Sequence, residues 1–596
     1  MSTYEARLAA LREELGRQRL DGFVVPLTDE HMSEYVGEYA QRLAWLTGFE
    51  GSAGTAVVLP AEAAMFVDGR YTLQVRDQVD GRHWSYQQVP DTSVAEWLKA
   101  HAPDGGRIGY DPWLHTRSWV EAATAALKDR GAELVPVTTN PIDTIWRDRP
   151  APSPARLIVH PDSLAGKGSP EKRAAIADWL AERKADAVVL AALDSIAWAF
   201  NIRGTDVART PVALAYAIVN ADGTAELFVA PEKLDDDVRA HLGNAVRLHD
   251  RSAFAAALAA MKGKTVAVDP ANSVAAIFET LTAAGATIVE ARDPVVLPKA
   301  IKNPVEIAGT RAAHLRDGAA LTRFLHWFDG AAASGTLDEM QAAAKLQAFR
   351  EGTGALRDLS FDTISGAGPN GAIVHYRVSP DTNRRVEPDS LFLVDSGGQY
   401  PDGTTDVTRT LAVGTPTAEM RDRFTRVLKG HIALAMARFP KGTRGQQLDT
   451  LARQYLWAVG LDYAHGTGHG VGSYLSVHEG PQRISGVGGD VALEPGMIVS
   501  NEPGYYKTGA YGIRIENLVL VTPLEIEGAE RTMLGFETLT LAPIDRRLVD
   551  HAMMTVAETA WLDAYHARVA REVGPLLDAE ARAWLDAATR PLGDDA

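Results

Sequence analysis

Five side chains in the last third of the chain combine ligand types that bind divalent metal ions: Asp395, Asp406, His469, Glu502 and Glu516. Four carboxylates and one imidazole suit two ions that share bridging oxygens. This oxygen-rich set favours manganese, cobalt or magnesium, with iron and zinc as alternatives. Paired ions of this kind activate a water molecule and polarise a carbonyl. The residue types therefore predict a hydrolytic centre with two divalent ions, Mn²⁺ ahead of Co²⁺, Zn²⁺ or Fe²⁺.

The two aspartates are predicted to face one another across a hairpin. Asp395 closes an apolar strand, LFLVD, and Asp406 follows eleven residues later, beyond a Pro-Asp-Gly turn. Two carboxylates brought together in this way repel each other unless a cation lies between them. Metal binding is the expected means of removing that repulsion.

The other three ligands lie in separate glycine-punctuated segments. Glu502 ends a second predicted strand, MIVSNE, and Glu516 lies inside a third, GIRIENLVLV. His469 lies in HGTGHGVG, where four glycines in seven residues allow the backbone to approach a neighbouring group closely. This segment lacks the Glu of a zinc-binding HExxH helix and the Lys of a phosphate-binding loop. Singly, each ligand could be a turn cap, an exposed strand residue or a core histidine, but the five together favour a metal site.

Composition describes an ordinary globular chain. Its 596 residues are 46% hydrophobic and predict roughly three or four domains. The net charge of −17 argues against nucleic acid or an anionic membrane as a partner, and no apolar stretch is long enough to span a bilayer. The absence of cysteine excludes disulfides and fits a reducing, cytoplasmic location. The N-terminal segment is typical of an amphipathic surface helix and not of a signal peptide.

The first half of the chain contains a degenerate repeat. Strand-like runs at 21–25 (DGFVV) and 186–190 (DAVVL) each follow a helical pattern. Further landmarks recur in the same order: Ala44-Trp45 with Ala197-Trp198, Asp111-Pro112 with Asp269-Pro270, and Pro141 with Pro294. Chance could explain any single pair, but the shared order favours two α/β domains of one fold. We predict domain I at 1–155 and domain II at 156–300, joined by a proline-rich connector at 136–161.

Residues 301–596 follow a different pattern. A long helical segment with Leu315, Leu321 and Leu325 on one face precedes strand-like runs that alternate with Gly, Pro and Asp turns. This pattern predicts an α+β domain that carries the five ligands. The alanine-rich helical stretch from residue 550 is expected to pack on its outside.

Six short motifs resemble one enzyme family. They are HY at 375–376, DSGGQYPDGTTDVTRT at 395–410, GTGHGVG at 466–472, VHEGP at 477–481, NEPGYY at 501–506 and GIRIEN at 512–517. Together they closely resemble the aminopeptidase P branch of the pita-bread metallopeptidases. The resemblance covers the whole chain, since three-domain members have two related creatinase-type α/β domains ahead of the catalytic one. It implies an α+β pita-bread catalytic domain that cleaves the N-terminal Xaa-Pro bond of peptides.

The resemblance also implies a role for each ligand. Asp395 would bind one metal ion, and Asp406 and Glu516 would bridge both ions. His469 and Glu502 would complete the shell of the second ion. Glu502 would in addition accept a proton from the attacking water.

Three histidines that match non-ligand positions of the family, His375, His465 and His478, are implied to hold the substrate and stabilise the tetrahedral intermediate. Neutral imidazoles beside cations can donate hydrogen bonds to a developing oxyanion. A structural role for His465 is the alternative, because the glycine loop beside it needs a packing partner. Arg514, two residues before Glu516 on the same predicted strand face, is expected to bind substrate, to orient a carboxylate or to form a simple salt bridge.

Other functions compete with the aminopeptidase. A prolidase-type Xaa-Pro dipeptidase uses the same metal set, but its usual members have one N-terminal domain. Methionine aminopeptidases lack two such domains, and creatinase lacks the metal ligands. A non-catalytic, peptidase-like scaffold for protein interaction would be expected to have lost ligands, and none is missing here. The resemblance further implies peptide substrates with proline in second position and a homodimer.

Overall fold

The computed structural model describes residues 3–595. They form two compact units: the first runs to Asp162 and continues over Lys167–Val296, and the second comprises Ser163–Gly166 and the chain from Leu297 onward. The first unit contains two mixed sheets, and the second contains all of the predicted metal ligands. Within residues 3–595, every helix is too short or too polar to cross a lipid bilayer.

The first sheet has six strands, in the order Ser85–Gln88, Ala63–Val67, Thr55–Val58, Gly22–Pro26, Arg107–Tyr110 and Glu133–Pro136. Thr55–Val58 is antiparallel to both of its neighbours, and the remaining pairs are parallel. The helices in this part of the chain are Thr3–Arg17, Arg42–Thr47, Gln74–Gln78, Val94–His101, Arg117–Lys128 and Pro141–Ile145. Leu8, Leu11 and Leu15 are buried on the first of these helices, which confirms the predicted amphipathic helix.

The second sheet repeats this topology strand for strand. Its order is Val246–His249, Ala225–Val229, Ala215–Asn220, Ala187–Leu190, Thr265–Val268 and Thr287–Glu290. Ala215–Asn220 is antiparallel to both of its neighbours, and the remaining pairs are parallel. The helices are Asp162–Ala165, Ser169–Arg183, Leu193–Phe200, Asp236–Leu242, Phe254–Ala259 and Ala275–Ala284, and Ile158–Val159 pairs separately with Ile202–Arg203.

The repeat extends to individual side chains. Asp21, just before the central strand of the first sheet, accepts a hydrogen bond from the N–H of Arg107 at 2.9 Å. Asp186, at the equivalent point of the second sheet, accepts one from the N–H of Thr265 at 2.7 Å. Both carboxylates thus hold the start of the same parallel strand pair. The predicted duplication is confirmed, while the limits 1–155, 156–300 and 301–596 stay predictions.

The second unit has the predicted α+β architecture, with antiparallel strands throughout its paired sheets. Its largest sheet has the order Phe439–Pro440, Met533–Thr538, Asn517–Leu524, Ile498–Asn501, Gly468–Gly470 and Glu479–Ile484. The smaller sheets are Asp358–Leu359 with Gly398–Tyr400 and Gly403–Thr404, Ile364–Ala367 with Ser390–Ser396 and Val407–Val413, and Gly504–Lys507 with Tyr511–Arg514. The helices are Val296–Ala300, Pro304–Ala332, Glu339–Glu351, Ala418–Ala435, Gly445–Trp457, Val556–Val573 and Ala579–Ala588.

The long helix Pro304–Ala332 begins at a strong start signal in the sequence. The Asn303 side chain accepts hydrogen bonds from the first turn, and the glutamate of that turn accepts one from the Asn303 N–H, which forms a capping box. Proline at the first helical position lacks an N–H that would have had no partner there. On the predicted apolar face, Leu321 and Leu325 are buried. This helix therefore forms part of the core beneath the strands that carry the aspartates.

The C-terminal helix Val556–Val573 corrects one prediction. The stretch from residue 550 was expected to pack on the outside, yet Leu562, Tyr565 and Val569 are buried in the main core of the second unit. These residues recur at helical spacing, so one face of the helix is apolar despite its high alanine content. The helix is thus an integral part of the unit.

Replacement of Leu562 by alanine is expected to lower the free energy of unfolding by roughly 2–5 kcal/mol, because it leaves a cavity in a packed core. Val556→Ala on the same helix is the matched control, since Val556 is 89% exposed. Thermal unfolding of both variants beside the unaltered protein measures the difference. Equal melting temperatures would contradict the buried position of this helix.

Candidate metal centre

A strand pair positions the two aspartates. Ser390–Ser396 and Val407–Val413 run antiparallel, with Asp395 opposite Thr408 and Asp406 immediately before the second strand. Both carboxylates are almost fully buried. The predicted hairpin is confirmed, and it brings two acidic groups into an environment that strongly disfavours unpaired charge.

A second sheet brings in the histidine and the third carboxylate. His469 lies on Gly468–Gly470, and Glu502 follows the neighbouring strand Ile498–Asn501. The Nε2 atom of His469 lies 3.4 Å from Oδ2 of Asp406 and 3.5 Å from Oε1 of Glu502. Its Nδ1 atom lies 2.9 Å from the carbonyl oxygen of the next residue, so Nε2 is the atom directed at the carboxylates.

Glu516 lies at a junction between two strands, which corrects the prediction that it lies inside one. Tyr511–Arg514 ends just before it and Asn517–Leu524 begins just after it, in a different sheet. Glu516 donates its N–H to the carbonyl of Thr408 at 3.2 Å, and its Oε2 accepts the Thr408 hydroxyl at 2.8 Å. Because the chain changes sheets here, the backbone can pair with the aspartate hairpin.

The glycines around His469 have the predicted role. A Cβ atom on Gly468 would lie 1.9 Å from the carbonyl oxygen of Ser500, and one on Gly470 would lie 2.4 Å from that of Glu479. No side chain fits at either distance. Close approach of the backbone to its neighbours is therefore confirmed as the reason for these glycines.

The candidate ligand atoms form three overlapping groups, and the atoms within each group lie within 4.8 Å of one another. The groups are Asp395 with Asp406 and Glu516, Asp406 with His469 and His478, and His469 with Glu502 and Glu516. Oδ1 of Asp395, Oδ1 of Asp406 and Oε1 of Glu516 are buried and accept no hydrogen bond from any group within the described residues. Buried anionic oxygens without a donor are costly. Because the groups overlap, the donor set fits two neighbouring divalent cations.

The electrostatics of the cluster agree with that fit. Burial, together with the neighbouring Asp406 carboxylate, raises the pKa of Asp395 to about 7. Burial and the other carboxylates raise the pKa of Glu516 well above its ordinary value. Burial disfavours charge on His469, but Asp406 and Glu502 outweigh it and raise the imidazole pKa to about 9. Apart from the effect of burial, the shifts of all three groups show a local excess of negative charge that a bound cation would neutralise.

Arg514 is a buried guanidinium that holds one of the ligands in place. It donates to Oδ2 of Asp395 at 2.6 Å, to the hydroxyl of Thr408 at 3.1 Å and to the hydroxyl of Tyr506 at 2.7 Å. Its ion-pair partner is thus Asp395, which lies in a different sheet, although Glu516 is only two residues away along the chain. This pattern is typical of a residue that orients a metal ligand.

Four family models match consecutive parts of the chain. The Creatinase/Prolidase N-terminal domain matches residues 7–147 and again, in a second version, residues 148–306. Metallopeptidase family M24 matches residues 308–523, and the C-terminal region of peptidase M24 matches residues 532–592.

Two fungal relatives match almost the whole chain. A probable Xaa-Pro aminopeptidase P from Aspergillus fumigatus is 41% identical over 611 residues, which cover 98% of this chain and 92% of the fungal one. A protein of the same name from Tuber melanosporum is 40% identical and covers 98% and 99% of the two chains. The chain belongs to metallopeptidase family M24. The predicted family and its fold, two creatinase-type domains followed by a pita-bread domain, are confirmed.

A solved structure matches along almost the whole chain. The X-prolyl aminopeptidase from Caenorhabditis elegans, described as a cytosolic enzyme with a di-nuclear active site, has a TM-score of 0.95 at 35% identity and covers 99% of this chain and 100% of its own. Dipeptidase PepE from Mycobacterium ulcerans has a TM-score of 0.51 at 24% identity over 64% of this chain and 97% of its own. The second likeness shows only the shared fold.

The three predicted non-ligand histidines all lie in the second unit. The ring of His478 lies 4.4 Å from that of His469 and is directly beside the cluster. His465 contacts the carbonyl oxygen of its neighbour through Nδ1 and the hydroxyl of Tyr506 through Nε2, both at 2.8 Å. His375 is half-buried in the segment after Ile364–Ala367, next to a residue whose carbonyl accepts a hydrogen bond from Arg514.

Sequence reasoning missed three polar residues that hold the site together: Thr408, Ser500 and Tyr506. Thr408 contacts both Glu516 and Arg514, and Ser500 donates to Oε1 of Glu502 at 3.1 Å. A signal was available, because Thr408 and Ser500 each lie two residues from a ligand along a strand-like run and therefore on the same face. Tyr506 had no such signal, since the residues that contact its hydroxyl lie on other segments.

Proposed function

We propose that this protein is a metal-dependent aminopeptidase that hydrolyses the N-terminal Xaa-Pro bond of peptides. The observation that carries the proposal is the cluster of four carboxylates and one imidazole, in which Asp395, Asp406 and Glu516 are buried and each has an oxygen that accepts no hydrogen bond within the described residues. The names of the fungal relatives and of the nematode structure support the choice of the Xaa-Pro bond.

The cluster suggests how two divalent ions are shared. We assign Asp395 to one ion, His469 and Glu502 to the other, and Asp406 and Glu516 to both. Asp406 and Glu516 each belong to two of the overlapping ligand groups and have two carboxylate oxygens to offer, which supports a bridging role. His469 also belongs to two groups, but its Nδ1 faces the carbonyl of Gly470, so it has one nitrogen for one ion. Mn²⁺ is the ion we propose, because oxygen ligands dominate the set.

When bound, the pair of ions would activate a water molecule and polarise the scissile carbonyl. Glu502 accepts the proton of the attacking water, and the hydroxyl of Ser500 holds the Glu502 carboxylate for this task. His478 and His375 donate hydrogen bonds to the developing oxyanion. As the C–N bond breaks, the proton held by Glu502 passes, with an imidazole of the site as the relay, to the leaving imino nitrogen of proline.

Arg514 and His465 are proposed to act without contacting the substrate directly. Tyr506 links them: its hydroxyl accepts a hydrogen bond from Arg514 at 2.7 Å and lies 2.8 Å from Nε2 of His465. Arg514 therefore orients Asp395, and the substrate contact first predicted for it is the less favoured role. The catalytic role predicted for His465 stays a prediction.

Arg514→Met is expected to weaken Mn²⁺ binding by roughly 10–100-fold, because the Asp395 carboxylate loses the group that orients it. Isothermal titration of the metal-free variant with Mn²⁺ measures the change. Arg311→Met is the control, since Arg311 forms an exposed ion pair with Glu537. An Arg514 variant with unaltered affinity would argue against the orienting role.

Hydrolysis of an Xaa-Pro-Xaa tripeptide beside an Xaa-Pro dipeptide tests the proposed function. With Mn²⁺ present, we expect release of the first residue from the tripeptide and none from a matched peptide with alanine in second position. Cleavage of the dipeptide alone would identify a prolidase. Failure both to cleave any peptide and to bind stoichiometric metal would favour a non-catalytic scaffold.

The remaining proposals concern the surroundings of the enzyme. We propose peptides with proline in second position as partners, a homodimer as the assembly and the cytoplasm as the location, with no nucleic-acid or membrane partner. The description of the nematode structure as cytosolic supports the location. Light scattering of the purified protein distinguishes a dimer from a monomer of 64.1 kDa.

A further inference from the structure

A buried ionic triad lies next to the metal centre. The carboxylate of Glu479 has Lys299 Nζ 2.8 Å from Oε2 and Lys302 Nζ 2.9 Å from Oε1. All three side chains are at most 2% exposed. The contact with Lys302 is a hydrogen bond, whereas the ammonium of Lys299 approaches as an ion pair. We refer to Lys299, Lys302 and Glu479 as the triad.

The triad joins two segments that are far apart in the sequence. Lys299 lies on the short helix Val296–Ala300, and Lys302 lies just before the long helix that follows. Lys302 Nζ also donates to the carbonyl of Lys299 at 2.9 Å, so the Lys302 ammonium links the end of the short helix to the start of the long one. Glu479 begins the strand Glu479–Ile484 and directly follows His478. The triad therefore ties the conformation of residues 299–302 to the residue next to His478.

The glycine loop encloses the same glutamate. A Cβ atom on Gly472 would lie 2.8 Å from Oε2 of Glu479, and one on Gly470 would lie 2.4 Å from its carbonyl oxygen. Gly470 is also the strand partner of Glu479 and directly follows His469. Glu479 therefore adjoins two histidines of the site: His478 precedes it in the chain, and His469 precedes its strand partner Gly470. The two imidazole rings lie 4.4 Å apart.

Stability alone does not explain such a triad. Charges taken out of water are costly, and apolar residues of similar size in place of a buried ion pair often leave stability unchanged or raise it. The short contacts of the two ammonium groups fix the geometry of the groups beside them, which apolar packing would not do. The group beside Glu479 that faces the metal cluster is His478.

We propose that Lys299, Lys302 and Glu479 are positioning residues that hold His478 in its working orientation over the metal centre. The inference rests on the proposed aminopeptidase function. The triad is not proposed to contact the substrate. Any effect of the triad on turnover is therefore expected to act through the imidazole of His478. Of the metal ligands, His469 adjoins Glu479 through the backbone of Gly470, which the strand pairing holds independently of the triad side chains. Metal affinity is therefore expected to depend on the triad much less than turnover does.

A double-mutant cycle between Lys299→Met and His478→Ala tests the inference. Lys299→Met leaves Lys302 paired with Glu479, so the variant retains a neutral ion pair. We expect kcat for an Xaa-Pro-Xaa peptide to fall roughly 10–100-fold, with KM and Mn²⁺ content close to those of the unaltered enzyme. In the His478→Ala background, Lys299→Met is expected to change kcat less than about twofold, because the group it positions is already gone.

Lys441→Met is the matched control, because Lys441 is 57% exposed in its pair with Glu494, and its kcat is expected to stay unaltered. Effects that multiply in the double variant, or a Lys299 variant with kcat within about twofold of the control, would overturn the inference. Lys302→Met, which leaves Lys299 paired with Glu479, repeats the cycle if Lys299→Met does not fold. Failure of both variants to fold would show a purely structural triad. An unaltered enzyme that cleaves no Xaa-Pro peptide would instead refute the proposed function.

Discussion

Glu502→Gln is expected to lower kcat for an Xaa-Pro-Xaa tripeptide by roughly 10²–10⁴-fold, the usual contribution of a positioned general base. Glutamine retains the size and one oxygen of the side chain but cannot accept a proton at neutral pH. The amide can still receive the hydrogen bond from Ser500 that holds the carboxylate, so the fold and the local geometry are expected to persist. Steady-state kinetics with Mn²⁺ in excess measure the loss.

Two measurements separate lost chemistry from lost metal in this variant. Elemental analysis should find metal in Glu502→Gln, because the other four ligands are intact. Glu525→Gln serves as the control, since Glu525 is an exposed glutamate of the same unit, and its turnover should be unaltered. Turnover by Glu502→Gln within about threefold of this control would remove Glu502 as the base.

Removal of the metal is expected to make the stability of the protein depend on pH in an unusual direction. Burial and neighbouring carboxylates raise the pKa of Asp395 to about 7 and that of Glu516 well above its ordinary value. An acid whose pKa is higher in the folded state binds more protons there than in the unfolded chain. The free energy of unfolding of the chelated protein should therefore fall as pH rises from about 4 to 7. From Asp395 alone, roughly 1.4 kcal/mol per pH unit over this range gives about 4 kcal/mol.

Added Mn²⁺ should reverse this trend, because a bound cation stabilises the ionised carboxylates. Thermal unfolding of chelated and Mn²⁺-loaded protein between pH 4 and 7 measures the two slopes. Other buried groups titrate in the same range but contribute equally to both samples, so the comparison isolates the cluster. Identical slopes with and without metal would contradict a cation among these carboxylates.

The variant Glu516→Gln tests the same idea by removing one acid from the cluster. Because a neutral amide does not incur the stability cost of the raised pKa of Glu516, the metal-free variant should be more stable at pH 7 than the metal-free parent, and it should gain much less from Mn²⁺. Few substitutions of a buried group are expected to stabilise a protein. Glu525→Gln again provides the exposed control. A metal-free Glu516→Gln variant less stable than its parent would argue that repulsion among the carboxylates is not what the metal relieves.

Local patterns were sufficient to predict the main features of the fold. The first central strand of each N-terminal domain, the duplication, the aspartate hairpin and the amphipathic first helix all follow from residue spacing within short windows, which is the range over which periodicity reports structure. The prediction for the C-terminal helix was wrong because short windows do not show what a helix packs against. Its apolar face was visible at Leu562, Tyr565 and Val569, but whether a face meets the core depends on a partner elsewhere in the chain.

The sequence by itself determined the family and the identity of the candidate ligands, because metal chemistry limits which side chains can serve and the motifs keep them in recognisable surroundings. Only the tertiary structure decided how those ligands are held. Arg514 pairs with Asp395, Tyr506 links Arg514 to His465, and two lysines enclose Glu479. Each contact joins residues brought together by strand pairing and helix packing, and residue spacing carries no record of such long-range partners.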